Sequence, residues 1–191
     1  MDLRLIPRLN LKIKELALIK NKHVQDRKSY DLSFARIAWA HISELKKTED
    51  RRIKTQIFGN LNHLMRVWTG DRAKLVSKKA LELFKKEKPD QNPFDVRWEQ
   101  RGILGNLAPR KPKIVWEHTV PVGQFIKEMA SECNTQEEVI SKMLTYPGAC
   151  WITRDEDDSL NSNGYKNMRP GGFEKCYSDC GIEVISESEL N

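Results

Sequence analysis

The chain lacks a long apolar segment and the fingerprints of several common enzyme classes. No apolar run approaches the roughly 18 residues that a membrane-spanning helix needs, so no membrane partner is expected. The first residues, Met1 to Arg8, contain no apolar stretch of signal-peptide length, which predicts a cytoplasmic protein. No segment matches a Walker loop, a dinucleotide-binding fingerprint or a nucleophile elbow, and this argues against those enzyme classes.

Cysteine is scarce, and no two of the four residues form a Cys-x-x-Cys pair. They lie in the last third of the chain, at Cys133, Cys150, Cys176 and Cys180. Reduced thiols are the default for a protein without an export signal. The spacings do not match those of zinc ribbons, so we expect buried free thiols, with a structural Zn²⁺ site as the alternative.

Charge is abundant and unevenly distributed. The 191 residues are 31% charged and 39% hydrophobic, with a net charge of +6, and they suffice for one good core or two small ones. Residues 1–114 carry 27 Lys and Arg against 13 Asp and Glu, whereas residues 115–191 carry 6 against 14. The basic part is suited to nucleic-acid phosphates and the acidic part to a cation; solvated helix faces are the alternative.

Apolar residues at helical spacing dominate the basic part. They predict one helix from Asp31 or Ser33 to about Lys47 and a second that begins at Thr48. A third helix is predicted after Asp71, with Leu75 and Val76 in its apolar stripe. The candidate phosphate contacts are the Lys residues of this third segment and the basic residues that follow it: Lys74, Lys78, Lys79, Arg110, Lys111 and Lys113.

The acidic part mixes short strands and helices. Strands are predicted near residues 114–118, 149–152 and 182–185. Thr135 and Thr153 each begin a capping box, and the helix after Thr153 is predicted to reach Asn161. The prediction is therefore an α+β, mainly helical fold, with a basic helical domain over 1–90, a linker over 91–113 and a small ββα region over 114–191.

One short stretch combines groups that suit hydrolysis. Trp116-Glu117-His118-Thr119-Val120-Pro121 places an acid and an imidazole at the end of a predicted strand, which a proline then stops. A regular strand would direct Glu117 and His118 to opposite faces, and a bend would bring them to one site. A neutral imidazole accepts a proton from water near pH 7, and a carboxylate holds a divalent cation. The alternative is an ordinary strand end.

This stretch resembles the Trp-Glu-His-x-Val-Pro segment of His-Me finger (ββα-metal) nucleases. The resemblance implies that His118 is the general base and that Glu117 contacts Mg²⁺ or another divalent cation. It also implies a later Asn as a second ligand, for which Asn161, 43 residues after His118, is the first candidate. The rival ligands lie close to it in the sequence: Asp157, Asp158, Asn163 and Asn167.

Two hypotheses for the function follow. The first is a metal-dependent endonuclease, for which DNA is favoured over RNA as the substrate. In this hypothesis Arg169, in a glycine-rich loop, contacts the scissile phosphate or its leaving group. The second is a non-catalytic nucleic-acid-binding or regulatory protein with an acidic accessory domain.

Overall fold

The computed structural model describes residue 27 and residues 29–70, 73–107 and 112–190, which form an α+β, mainly helical fold, as predicted. No helix in these ranges is long and apolar enough to cross a membrane. Eight α-helices lie in the described ranges: α1 (29–47), α2 (Arg51–Thr69), α3 (Lys78–Glu87), α4 (Val122–Glu132), α5 (Gln136–Leu144), α6 (Arg154–Ser162), α7 (Phe173–Asp179) and α8 (Glu187–Leu190). Two 3₁₀-helices, Pro93–Asp95 and Trp98–Leu107, follow α3.

Within the described ranges, four short strands form one mixed sheet in the order β2-β3-β1-β4. Strands β2 (Ile114–His118) and β3 (Ala149–Thr153) are antiparallel, β3 and β1 (Leu75–Ser77) are parallel, and β1 and β4 (Val184–Ser186) are antiparallel. Among the described strands, β2 is therefore at the edge of the sheet. Helix α6 begins directly after β3, so β2, β3 and α6 form a ββα arrangement.

The segment before α3 differs from its prediction. Leu75 and Val76 belong to strand β1, and α3 begins only at Lys78, with the hydroxyl of Ser77 accepting the N–H of Ala80 at its N-terminus. The short apolar run fitted a helical stripe, but its backbone groups pair with β3 and β4 instead. The predicted helix cap at Asp71 lies outside the described residues.

Helix starts elsewhere follow local capping. Both predicted capping boxes are confirmed, at Thr135 with Glu138 and at Thr153 with Glu156. Helix α1 already includes residues 29 and 30, so neither Asp31 nor Ser33 begins it. Asp31 instead accepts a 2.8 Å hydrogen bond from the indole N–H of Trp68 on α2.

Three apolar clusters of described residues hold the elements together, and two of them have buried residues from both predicted domains. The first packs α1 and α2 against α4 and α5. The second joins α3 and the first 3₁₀-helix to one face of the sheet, and the third joins α6 and α7 to the other face. Strand β1, from the basic part of the chain, lies between β3 and β4 of the acidic part.

All four cysteines are free. Cys133, Cys150 and Cys176 are buried, and Cys180 is partly exposed. Burial raises the pKa of the Cys150 thiol well above its ordinary value, because the thiolate would lose its hydration in the core. These residues therefore behave as small apolar side chains.

Candidate active site at the end of strand β2

Glu117 and His118 occupy the last two positions of the edge strand. In the register with β3, Glu117 lies opposite Cys150 and His118 lies opposite Ala149. Because side chains alternate along a strand, Glu117 faces the cluster beneath α6 and α7, and His118 faces the side of Trp116. Both remain within electrostatic reach of one cation, the guanidinium of Arg66 on α2.

The strand end is held by the next residue. Thr119 donates both its backbone N–H (3.2 Å) and its hydroxyl (2.7 Å) to the carbonyl of Gly148. Helix α4 then begins at Val122, after Pro121. The positions of Glu117 and His118 are thus defined on both sides, by the ladder with β3 and by the buried Thr119.

Arg169 forms a buried ion pair with Glu117, and its side chain is only 2% exposed. The backbone N–H of Arg169 donates to the side-chain oxygen of Gln124 on α4, at 2.8 Å. After Arg169, Pro170 and Gly171 make a tight turn in which Gly171 has φ +79° and the N–H of Gly172 donates to the Arg169 carbonyl. The turn and Gln124 fix the backbone of Arg169, and Glu117 fixes its guanidinium.

The guanidinium of Arg169 retains an unused donor. Its Nη2 binds Glu117, and its Nη1 makes a 3.4 Å contact with the Met168 carbonyl. Its Nε is buried and has no hydrogen-bond partner in the described structure. A buried donor without a partner costs free energy, and an anionic oxygen at this position would relieve that cost.

Glu117 has a carboxyl group that changes charge near neutral pH. Burial raises its pKa to about 7, although Arg169 acts in the opposite direction. Asp157 on α6 raises the pKa further by like-charge repulsion, and Arg66 lowers it. A cation that approached Glu117 in addition to Arg169 would therefore find a carboxyl group that releases its proton readily near pH 7.

His118 is neutral at physiological pH. Burial and the positive charge of Arg66 lower its pKa to about 4. The hydroxyl of Thr69 donates to the carbonyl of Met65 (2.8 Å), so its oxygen can accept from Nδ1 of His118 at 3.4 Å. That assignment places the imidazole proton on Nδ1. The second ring nitrogen, Nε2, then carries a lone pair and has no hydrogen-bond partner in the described part of the chain.

Helix α6 contributes the remaining acid. Asp157 pairs with Arg154 at 2.8 Å, and burial raises the pKa of Asp157 although Arg154 and Arg169 lower it. Asn161, four residues later and hence on the same side of α6, is exposed, and its side chain makes no hydrogen bond within the described ranges. Arg169 thus lies within electrostatic reach of Glu117 and Asp157.

Three of the predicted phosphate contacts already have partners within the fold. The Lys74 ammonium donates to the carbonyl of Tyr146 (2.8 Å), Lys78 pairs with Glu183, and Lys113 pairs with Glu87 (2.5 Å). Lys79 is exposed on α3. Arg110 and Lys111 lie outside the described residues.

Three neighbours of the site carried no local sequence signal. Arg66 and Thr69 come from the last turn of α2, and Gln124 comes from the first turn of α4. In the sequence they look like ordinary helix residues, because only the packing of α2 against α4 places them beside β2. A sequence-based search restricted to the motif could not have found them.

The donor set suits a magnesium-like ion better than zinc. Among the described residues there is no group of three or more His, Cys, Asp and Glu side chains able to hold a metal ion. Mg²⁺ commonly uses one or two carboxylates and completes its shell with water and substrate phosphate, whereas structural Zn²⁺ requires four protein ligands. Glu117 and Asp157 are two carboxylates within electrostatic reach of one another, whereas no contact in the described ranges places Asn161 beside Glu117.

No family model matches this chain, and no curated protein or solved structure proved significantly similar to it.

Proposed function

We propose that the protein is a divalent-metal-dependent endonuclease that hydrolyses nucleic-acid phosphodiesters, with DNA preferred to RNA as the substrate. The observation that supports it most is the ion pair of Arg169 with Glu117 at the end of β2, with the neutral His118 as the next residue, on the opposite face of the strand. An acid for a cation, a buried guanidinium for a phosphate and a base for water are the three groups that this hydrolysis requires.

His118 is the general base in this proposal. With its proton on Nδ1, the imidazole presents the lone pair of Nε2 to an attacking water. The resting pKa of about 4 makes His118 a weak base, because burial and Arg66 both oppose its charged form. A bound phosphodiester would bring negative charge to the site, favour the imidazolium and so strengthen the base.

Glu117 is the first metal ligand, with Asp157 or Asn161 on α6 as the second. A cation held by these residues would supply Lewis-acid stabilisation of the negative charge that develops on the phosphate and the leaving oxygen. On substrate binding Arg169 turns from Glu117 to the phosphate, which also gives a partner to the Nε that lacks one in the ion pair, and Gln124 holds the Arg169 backbone in place. Arg66 adds a second positive charge near both Glu117 and His118.

A cleavage assay tests the proposal. Purified protein is incubated with supercoiled plasmid or with a short RNA in Mg²⁺ or Mn²⁺, and a parallel sample contains EDTA. We expect nicking or cutting that EDTA abolishes and that Glu117→Gln reduces at limiting metal. Glu82→Gln, an exposed change on α3, is the matched control and should leave cleavage unchanged. Cleavage that persists in EDTA would exclude the metal-dependent mechanism.

A further inference from the structure

Trp98 is a large aromatic residue exposed beside the candidate active site. It begins the second 3₁₀-helix, and 38% of its surface is accessible. Its backbone N–H donates to the carbonyl of Gly70 at 3.0 Å. Gly70 directly follows Thr69, whose hydroxyl oxygen meets His118. The same short segment therefore positions Trp98 and supports the candidate base.

The ring of Trp98 packs against a second tryptophan ring, which packs against a third. Its ring lies 6.3 Å from that of Trp116, which in turn packs edge-on against the buried Trp151 at 4.8 Å. Trp116 and His118 are two residues apart on the same face of β2, or about 6.6 Å along the strand. The exposed indole is thus a rigid surface within a nucleotide's reach of His118.

Arg101 adds a positive charge to this surface. Its guanidinium carbon lies 4.1 Å from the centroid of the Trp98 ring, and its Nη1 donates to the Trp98 carbonyl at 2.9 Å. The sequence of residues 97–113 contains five Lys and Arg against a single acid, Glu99; of these five, Arg110 and Lys111 lie outside the described residues and Lys113 pairs with Glu87. Aromatic rings combined with arginine planes in a basic segment are the features by which proteins hold single-stranded nucleic acid.

We propose that Trp98 and Arg101 form a stacking subsite for an unpaired nucleobase next to the phosphate at His118. The placement of that phosphate rests on the proposed function, whereas the stacking itself does not. A base stacked on this surface has to leave its duplex partner. The substrate is therefore single-stranded, or locally unwound, at the nucleotide beside the scissile bond.

Binding of fluorescently labelled oligonucleotides in EDTA tests the subsite without turnover. The full chain is titrated with a short deoxythymidine oligomer and with an abasic strand of equal length and charge. Alanine substitution of an aromatic residue that stacks on a base typically lowers the affinity about 5- to 150-fold. We expect Trp98→Ala to show such a loss on the thymidine strand and no change on the abasic strand, with Trp98→Phe retaining most of the affinity.

The controls separate this subsite from general charge and from catalysis. Arg101→Lys keeps the positive charge and removes the planar guanidinium, so it should weaken binding only of the strand that carries bases. Far-UV circular dichroism checks that each variant is folded. Equal losses on both strands, no loss on the thymidine strand, or no binding of either strand at low salt would overturn the proposal. Base-dependent binding without cleavage would instead reject the nuclease and retain the subsite.

Discussion

Arg169 and Glu117 form a buried ion pair that ties the loop before α7 to the end of strand β2. The two side chains are 2% and 17% exposed, so each would leave a poorly solvated charge behind if the other were removed. The guanidinium also lies where a cation would approach the carboxylate. Metal and phosphate should therefore assist one another, since a phosphate that draws Arg169 away makes Glu117 available.

The ion pair should show strong, pH-dependent coupling in stability. Arg169→Met should destabilise the fold by about 3–5 kcal/mol at pH 8, because it strands the Glu117 carboxylate. At pH 6 the loss should be smaller, since Glu117, whose pKa is already about 7, then binds a proton. Urea unfolding measures both values, and adding Glu117→Gln should restore much of the stability. Equal losses at both pH values, with additive effects in the double variant, would contradict a buried charge pair.

Metal binding should compete with a proton at Glu117. Its pKa of about 7 means that the carboxyl is protonated at lower pH and must release that proton to hold a cation. We expect the Mn²⁺ affinity, measured by calorimetry, to rise about tenfold per pH unit below 7 and to level off above it. Asp90→Asn, an exposed change distant in sequence, should leave this profile intact. An affinity independent of pH between 5.5 and 8 would exclude Glu117 as the ligand.

His118 should make the fold sensitive to acid. Its folded pKa of about 4 lies below its ordinary value of 6.5, so it contributes stability that is present above pH 6.5 and is lost as the pH falls toward 4. At pH 5 the loss relative to pH 7.5 should approach roughly 2 kcal/mol. His118→Gln should lack this part of the pH dependence, whereas His63→Gln, an exposed change on α2, should keep it. Identical acid profiles for the two variants would contradict the burial of His118.

The buried carboxylate of Glu156 connects the basic part of the chain with the acidic part. The carboxylate of Glu156 accepts the hydroxyl of Ser77 at 2.6 Å and the backbone N–H of Thr153 at 2.7 Å, which connects β1 with α6. Ser77→Ala should cost about 1–3 kcal/mol, because it removes both a helix cap and a partner of a buried carboxylate. Ser178→Ala, an exposed change on α7, is the control. A loss as small as that of the control would show that this connection contributes little.

The sequence predicted elements whose signals are local. The boxes at Thr135 and Thr153 involve residues three apart, so the starts of α5 and α6 could be read directly. Strand β1 could not, because its three residues acquire their structure only by pairing with β3 and β4. The same reason hid Arg66 and Thr69, since their proximity to His118 results from tertiary packing. The motif proposed Glu117 and His118 as site residues and the loop pattern proposed Arg169, and these roles stay predictions; the pairing of Glu117 with Arg169 was not predicted.

The most direct test of the account is single-turnover cleavage by His118→Ala at saturating Mg²⁺, beside wild type and the surface control His63→Ala. General-base catalysis is typically worth about 10²–10⁴-fold, so we expect a loss in that range for His118→Ala and none for His63→Ala. Oligonucleotide binding in EDTA should change little, because the base acts on water and not on the strand. A wild-type protein that cleaves neither DNA nor RNA, or a His118→Ala protein that cleaves at the wild-type rate, would contradict the account.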